Sequence, residues 1–346
     1  MPDSDKKYMQ RCLELARMGL GSVAPNPVVG AVLVHEGRII GEGYHRRYGQ
    51  AHAEVNCIDS VSEADKGFIP GSVLYVSLEP CAHFGKTPPC TDLIIRQKIP
   101  RVVIGCKDPN KGVSGNGIKR LVDAGIGTET GVLEKECIDL NRRFFTFHLK
   151  NRPYIILKWA QSLNGKIAAR DSGRSFISNE LTNRLVHRWR TEEAAILVGP
   201  GTAHADNPVL NGRNWNGPDP VRVVLDRDLS LPPWLHLFDG AIPTIRLNTV
   251  KQEAQPNLLY YRMGEEPPLP NRISEALWSL DIQSVLVEGG GRTLQSFIDT
   301  ELWDEIRVIQ NESLVIPEGI PAPELPACLP VASQRINSDL IKYYKA

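Results

Sequence analysis

Neither sign of charge is in excess, since Lys+Arg and Asp+Glu both number 40. A neutral chain makes a poor general binder of polyanions, so nucleic acid is not an expected partner, although local phosphate pockets remain compatible with it. There is no uninterrupted run of about 18 apolar residues, and no membrane partner is expected. The opening MPDSDKKYMQRC has charges where a secretory leader has its apolar region, which gives a cytoplasmic location as the expectation. A disulfide framework is missing too: the cysteines are seven, an odd number, scattered over 346 residues. Cys12, Cys57, Cys106, Cys137 and Cys328 read as buried free thiols. The length and a hydrophobic content of 42% suit two cores. The polar break Asn151, Arg152, Pro153 sets the expected domains at 1–150 and 151–346.

The other cysteines, Cys81 and Cys90, belong to a different pattern. The sequence runs AHAEVNC from Ala51, then a strand-like SVLYVSLE, then PCAHFGKTPPC from Pro80. His52, Cys81 and Cys90 would supply one imidazole and two thiolates to zinc and leave a fourth position for water. Glu54 would then be the acid/base. Residues two apart on a helix face opposite sides, so His52 and Glu54 serve one metal only if the helix meets it end-on at its first turn. H-x-E followed by P-C and a further cysteine is the zinc deaminase signature. Eight residues separate the cysteines here, where nucleoside and nucleic-acid deaminases usually have two. His83 and Lys86 in that insert suit a phosphorylated substrate. A closed structural zinc knuckle is the bland alternative, and it gives Glu54 no role.

Around this centre, PNPVVGAVLV, HEGR and IIGEGYH read as a hairpin. Asn26, between two prolines, either presents its amide to a heterocycle edge or stabilises the turn. His45 is expected to be exposed at the end of the second strand. Later strands alternate with helices, which implies a layered α/β sheet. LEKECIDLNRRFFTFHLK reads as one helix. In the second half, a helix over ELTNRLVHRWRTEEA is expected to be capped by Ser178, and PGTAHADNPVLNGR reads as a ligand-binding loop at a strand's carboxyl end. SVLVEGGGRTLQSFI reads as a buried strand, three glycines and an amphipathic helix, the physical make-up of a dinucleotide phosphate site or simply of a tight turn. The segment 232–270 gives no topology.

Taken in order, PNPVVG from Pro25, HAE from His52 and PCAHFGKTPPC from Pro80 resemble the bifunctional deaminase–reductase family of riboflavin biosynthesis. The patterns LKxxxSLxGKIA, TxxxDxPxLxxR and VEGGxxL extend the resemblance to the second half. It implies a cytidine-deaminase-like α/β/α sandwich followed by a dihydrofolate-reductase-like α/β domain, with zinc and NADPH as cofactors. Asn26, His45, His83 and Lys86 would contact the deaminase substrate. Ala160, Phe176, Thr202, Asp206, Gly290, Gly291, Arg292, Thr293, Leu294, Gln295 and Ser296 fall where the family contacts NADPH. Arg227 either holds a 2′-phosphate or is merely solvated. Arg174, Arg190, Leu210, Arg213 and Glu288 fall on the sugar-phosphate side, where Arg190 and Arg213 have the fork geometry for a phosphate. Members often have Trp in place of Phe176.

The resemblance implies hydrolytic deamination of a diaminopyrimidinone ribosylamine phosphate, then NADPH-dependent reduction of ribosyl to ribityl, by a homo-oligomer. A zinc deaminase of a free base or nucleoside with a non-catalytic second half is the alternative. A zinc-stabilised binding scaffold without activity is a third reading.

Overall fold

A computed structural model describes residues 3–110, 113–170 and 177–346. The chain divides into two compact units, Met1–Lys150 and Asn151–Ala346.

The first unit is built in the order α1 (Asp3–Arg17), β1 (Gly30–His35), β2 (Arg38–Tyr44), α2 (Ala53–Asp59), β3 (Val73–Leu78), α3 (Cys90–Arg96), β4 (Arg101–Cys106), α4 (Asn116–Asp123), β5 (Gly127–Thr130), α5 (Glu134–Leu140) and α6 (Arg142–Lys150). Its sheet has the order β2-β1-β3-β4-β5, with β1 antiparallel to both neighbours and β3, β4 and β5 parallel. Both faces are covered because the strands are apolar on alternate residues to both sides. Ala31 and Leu33 of β1 pack with Cys57 of α2, Ile94 of α3 and Leu121 of α4, whereas Val32 and Val34 pack with Met9 and Leu13 of α1 and Cys137 of α5. The single helix expected over 133–150 is broken at Asn141. The buried Asn141 side chain instead accepts from Val28 N–H and donates to Val28 C=O, both at 2.9 Å.

The second unit runs β6 (Tyr154–Gln161), β7 (Lys166–Ala169), α7 (Glu180–Glu192), β8 (Ala195–Val198), α8 (Pro200–Asp206), β9 (Val221–Leu225), β10 (Thr244–Asn248), β11 (Glu253–Gln255), β12 (Leu258–Arg262), α9 (Leu269–Ser279), β13 (Ser284–Val287), α10 (Gly291–Asp299), β14 (Glu305–Asn311), β15 (Gly319–Pro321), β16 (Ala332–Ile336) and β17 (Asp339–Lys345). The main sheet has the order β11-β12-β10-β9-β8-β13-β6-β14-β17-β16. From β12 to β14 its strands are parallel, so their carboxyl ends share one edge. Ile155, Leu157 and Trp159 of β6 face α9 and α10, and Tyr154 and Ile156 face α7. The cap of α7 is Asn179, whose side chain accepts from Thr182 N–H; Ser178 bonds Asn183 instead. The loop expected at Pro200 is helical over its first seven residues, with proline at the first turn, where no N–H is needed. Cys328 is half-buried, while Cys12, Cys57, Cys106 and Cys137 are buried, and all are free thiols.

Candidate functional site

In the first unit, His52 is the N-cap of α2, with an extended backbone at φ −73° and ψ 170°. The helix starts after it, so His52 and Glu54 both belong to the helix end, which removes the two-residue spacing problem. Cys81 follows β3, and Cys90 is the first residue of α3. One ligand atom from each of His52, Cys81 and Cys90 lies within 4.8 Å of the others. His52 Nδ1 is 3.6 Å from Cys81 Sγ and 3.4 Å from Cys90 Sγ, while Nε2 is 3.4 Å from Thr87 Oγ1. Nδ1 is therefore the nitrogen turned to the thiols. One imidazole and two thiols, with a buried carboxyl beside them, fit a catalytic zinc better than a closed four-ligand site.

The electrostatics suit that ion. A hydrogen bond from Cys90 and the neighbouring His52 hold the Cys81 thiol down to about 4, against burial. The same bond and burial push Cys90 well up, so a metal entering here displaces its proton. Burial raises Glu54 above the usual carboxylate range, helped by Cys81, which suits a group that must take up and release a proton. We expect Cys81→Ser and Cys90→Ser to lower zinc content, because serine is the harder and far less acidic ligand. Cys106→Ser, on β4 and bonded to Ser77 C=O at 3.5 Å, should not. Metal analysis of the purified variants checks this, and equal zinc loss in all three would identify general destabilisation instead.

His45 is not exposed as expected; it is 3% accessible. Its Nδ1 is 3.0 Å from Ala51 C=O and its Nε2 is 3.1 Å from Asn26 Nδ2. Ala51 C=O can only accept, so Nδ1 carries the proton, Nε2 accepts from the Asn26 amide, and Asn26 Oδ1 is turned away from His45. His45 thus orients Asn26 where the sequence suggested direct contact. His83 and Lys86 are exposed, and the Lys86 ammonium lies 4.0 Å from the centre of the Tyr48 ring. Sequence reasoning passed over Thr87 and Asp108. Asp108 is half-buried, and burial raises its carboxyl to about 6, with His83 and Cys81 among the charges it feels. An aspartate just past the end of a buried strand was the available signal.

In the second unit, the carboxyl ends of β8 and β13 are joined by Glu288 N–H to Leu197 C=O at 2.9 Å and Gly199 N–H to Gly289 C=O at 3.0 Å. Thr202 of α8 accepts from Gly290 N–H at 2.8 Å. Gly289 has φ +153°, and a Cβ there would lie 3.0 Å from Thr202 Oγ1, so crowding is tighter at Gly289 than at Gly290, where the distance is 3.4 Å. No side chain caps α10, whose N-terminus follows this glycine turn at Gly291. Its first-turn N–H groups and the positive end of its dipole fit a pyrophosphate. Not all of Gly290 to Ser296 can serve equally. Leu294 is buried in the core, Ser296 Oγ donates to Thr293 C=O, and Gln295 accepts from Glu324 N–H. Thr293 is buried, Arg292 exposed, and Ala160 and Asp206 half-buried. Arg227 is exposed beyond β9, 3.8 Å from Asp228. Phe176 and Arg174 lie outside the described residues.

Arg190 departs from the expected phosphate fork. Its Nε and Nη2 donate to the two oxygens of Glu288 at 2.8 and 2.7 Å, and Nη1 donates to Asn211 C=O at 3.2 Å. Burial pushes Glu288 up, but Arg190 and Lys158, the latter at 3.7 Å, bring it down to about 2. Burial and Arg190 lower His187 to about 4. Arg213 is exposed and donates to Asn211 Oδ1 at 2.9 Å, while Leu210, at φ +52°, has its side chain in the core. Lys158 was missed because a single lysine in an apolar strand carries no pattern of its own.

Residues 2–106 match the cytidine and deoxycytidylate deaminase zinc-binding region, and residues 153–315 match the RibD C-terminal domain. The chain is 40% identical to the riboflavin biosynthesis protein RibD of Aquifex aeolicus, over 99% of this chain and 98% of the relative. It is 43% identical to RibD of Actinobacillus pleuropneumoniae, over 90% and 85%. A Thermotoga maritima crystal structure of a diaminohydroxyphosphoribosylaminopyrimidine deaminase/5-amino-6-(5-phosphoribosylamino)uracil reductase is 37% identical, with TM-score 0.87 over 99% and 98% of the two chains. Acinetobacter baumannii RibD is 30% identical, with TM-score 0.89 over 98% of each.

Proposed function

Since the chain belongs to the RibD family of riboflavin biosynthesis proteins, we propose that its first unit deaminates a phosphoribosylamino-pyrimidine at the His52, Cys81, Cys90 and Glu54 cluster and its second reduces the product. The chain is a bifunctional enzyme of riboflavin biosynthesis, with a cytidine-deaminase-like domain and a dihydrofolate-reductase-like domain, and it uses zinc and NADPH. Its substrate is a small pyrimidine, and no helix among the described residues is long and apolar enough to cross a membrane. The second half read as a non-catalytic module is not favoured, because the RibD C-terminal match spans residues 153–315.

The observation that carries the deaminase reading is Glu54, a buried carboxyl next to the imidazole and two thiols of His52, Cys81 and Cys90, which converge within 4.8 Å. His52 Nδ1, Cys81 and Cys90 would hold the zinc, which would supply activation of the attacking water. Glu54 takes the proton from that water and delivers it to the departing amine, and its raised affinity for a proton suits the exchange. Asn26, oriented by His45, offers Oδ1 to a ring N–H. His83 and Lys86, on the exposed insert, are placed in this proposal at the phosphorylated arm.

NADPH supplies the hydride for the second step. Gly289 to Gly291 and the start of α10 would hold its phosphates, and Thr202 fixes the glycine turn. The Arg190–Glu288 pair with Lys158 forms a buried charged wall at the carboxyl ends of β6 and β13, and Arg213 meets the sugar phosphate. The direct test is mass spectrometry of the products formed from the diaminopyrimidinone ribosyl phosphate with and without NADPH. Loss of the amino group in both cases, and gain of two hydrogens only with NADPH, is expected.

A Cβ at Gly289 meets Thr202 and forces a strained backbone. Gly289→Val is therefore expected to abolish NADPH binding while ammonia release continues. Arg213→Ala should raise the Michaelis constant for the sugar phosphate and leave cofactor affinity within about twofold. Fluorescence titration with NADPH separates the two variants, and normal binding by Gly289→Val would refute the cradle.

A further inference from the structure

Glu79 stands immediately before Pro80 and Cys81 and is 4% exposed. Its carboxylate accepts four backbone N–H groups: Asp108 at 3.2 Å and Gly115 at 3.0 Å on Oε2, Gly117 at 2.9 Å and Ile118 at 3.2 Å on Oε1. That fills the roughly four lone-pair positions a carboxylate has. The first turn of a helix leaves N–H groups without intrahelical partners, and the α4 N-cap is Gly115, which has no side chain to satisfy them. Glu79 caps the helix from the residue that follows β3.

Two further contacts join α4 to the same loop. Gly117 lies against Pro80 so closely that a Cβ would be 2.0 Å from its carbonyl oxygen. Arg120 donates to Ala82 C=O at 3.2 Å and pairs with Asp92 of α3 at 2.5 Å. Glu79, Pro80 and Ala82 surround Cys81 in the sequence, so α4 grips the residues on both sides of that ligand. The bond from Asp108 N–H ties the residue just past β4 to the same carboxylate.

We propose that Glu79 is a positioning residue of the deaminase: with Gly117 and Arg120 it latches the loop from Cys81 to His83, and Asp108, onto α4, and so sets the wall that receives the substrate. The proposal rests on reading the His52, Cys81 and Cys90 cluster as the deaminase centre. His52 caps α2 and Glu54 lies within it, both outside the loop 81–83 that the latch holds, while Cys90 heads α3, which Arg120 reaches only through the exposed pair with Asp92. Slackening the latch therefore loosens substrate binding more than it disturbs the proton transfer.

The test uses the full-length zinc-loaded protein. Glu79→Gln keeps the shape but turns an amide N–H group toward backbone donors. Arg120→Met acts on a side chain 45% exposed and removes only the bonds to Ala82 and Asp92. Ammonia release is followed against pyrimidine concentration, with zinc content and thermal midpoint measured in parallel. In Glu79→Gln the KM should rise about 10–100-fold, and in Arg120→Met about 10-fold, in the range typical for loss of an orienting contact. In both, kcat should stay within about threefold, with one zinc per chain and an unchanged midpoint for Arg120→Met. If Glu79→Gln fails to fold, Arg120→Met decides alone. Zinc loss in Arg120→Met, a fall in its kcat at constant KM, or an unchanged KM overturns the latch. Absence of ammonia release from the unsubstituted protein overturns the deaminase reading, and the latch with it.

Discussion

Glu54→Gln should retain its zinc and lose ammonia release by about 10²–10⁴-fold, the range that general acid–base catalysis contributes. The carboxamide has the size of the carboxyl but cannot carry a proton between water and leaving amine. Because Glu54 is 3% exposed and lies outside the three-residue ligand cluster, its replacement leaves the donor set intact. NADPH-dependent reduction of the already deaminated pyrimidine should proceed at its usual rate. Metal analysis and an ammonia assay decide the matter: zinc leaving with the carboxyl would make Glu54 a ligand, and undiminished ammonia would remove it from the chemistry.

The second large effect is on stability. Arg307 of β14 donates from Nε to Glu305 at 2.6 Å, lies 3.9 Å from Glu193, and has its guanidinium 4.8 Å from the centre of the Trp189 ring. The side chains of Arg307, Glu305 and Glu193 are 4%, 7% and 0% exposed. Removing this guanidinium takes a close cation away from two buried carboxylates, so Arg307→Met should destabilise the second unit by about 3–5 kcal/mol. Adding Glu193→Gln and Glu305→Gln should recover more than half of that loss, because the two buried negative charges are then removed together with the positive one. Urea unfolding followed by tryptophan fluorescence, excited at wavelengths where tyrosine does not absorb, reports on this unit, since all six tryptophans lie beyond residue 150. An unchanged midpoint in Arg307→Met, or no recovery in the triple variant, would show that charge burial is not what the arginine offsets.

The zinc centre was legible because its parts are close in sequence and chemically distinctive: an imidazole, a carboxyl and two thiols within 39 residues, His52 to Cys90. The hairpin and the glycine turn before α10 were legible from local rules of the same kind. What the sequence hid were the pairings made across the fold. Arg190 looked like a phosphate fork because its partner, Glu288, is 98 positions away. The break at Asn141 follows from a bond to Val28, 113 positions earlier, which no helical periodicity records. His45 looked exposed because a strand end usually is, yet Ala51 and Asn26 close over it. Arg174 and Phe176 lie outside the described residues, so their assignments rest on the sequence alone.

The remote capping of α4 also bears on the order in which the first unit is assembled. An eight-residue segment is too short to hold a helix by itself in water, where nucleation is unfavourable and each added bond gains little. Its capping carboxylate arrives from 36 to 39 positions earlier in the chain, on the residue that follows β3. In the denatured ensemble α4 therefore has neither length nor cap, and it gains both support and direction only after β3 has found its place in the sheet. Helix stability there depends on long-range structure, because the cap that α4 needs is supplied only by a β3 already in register.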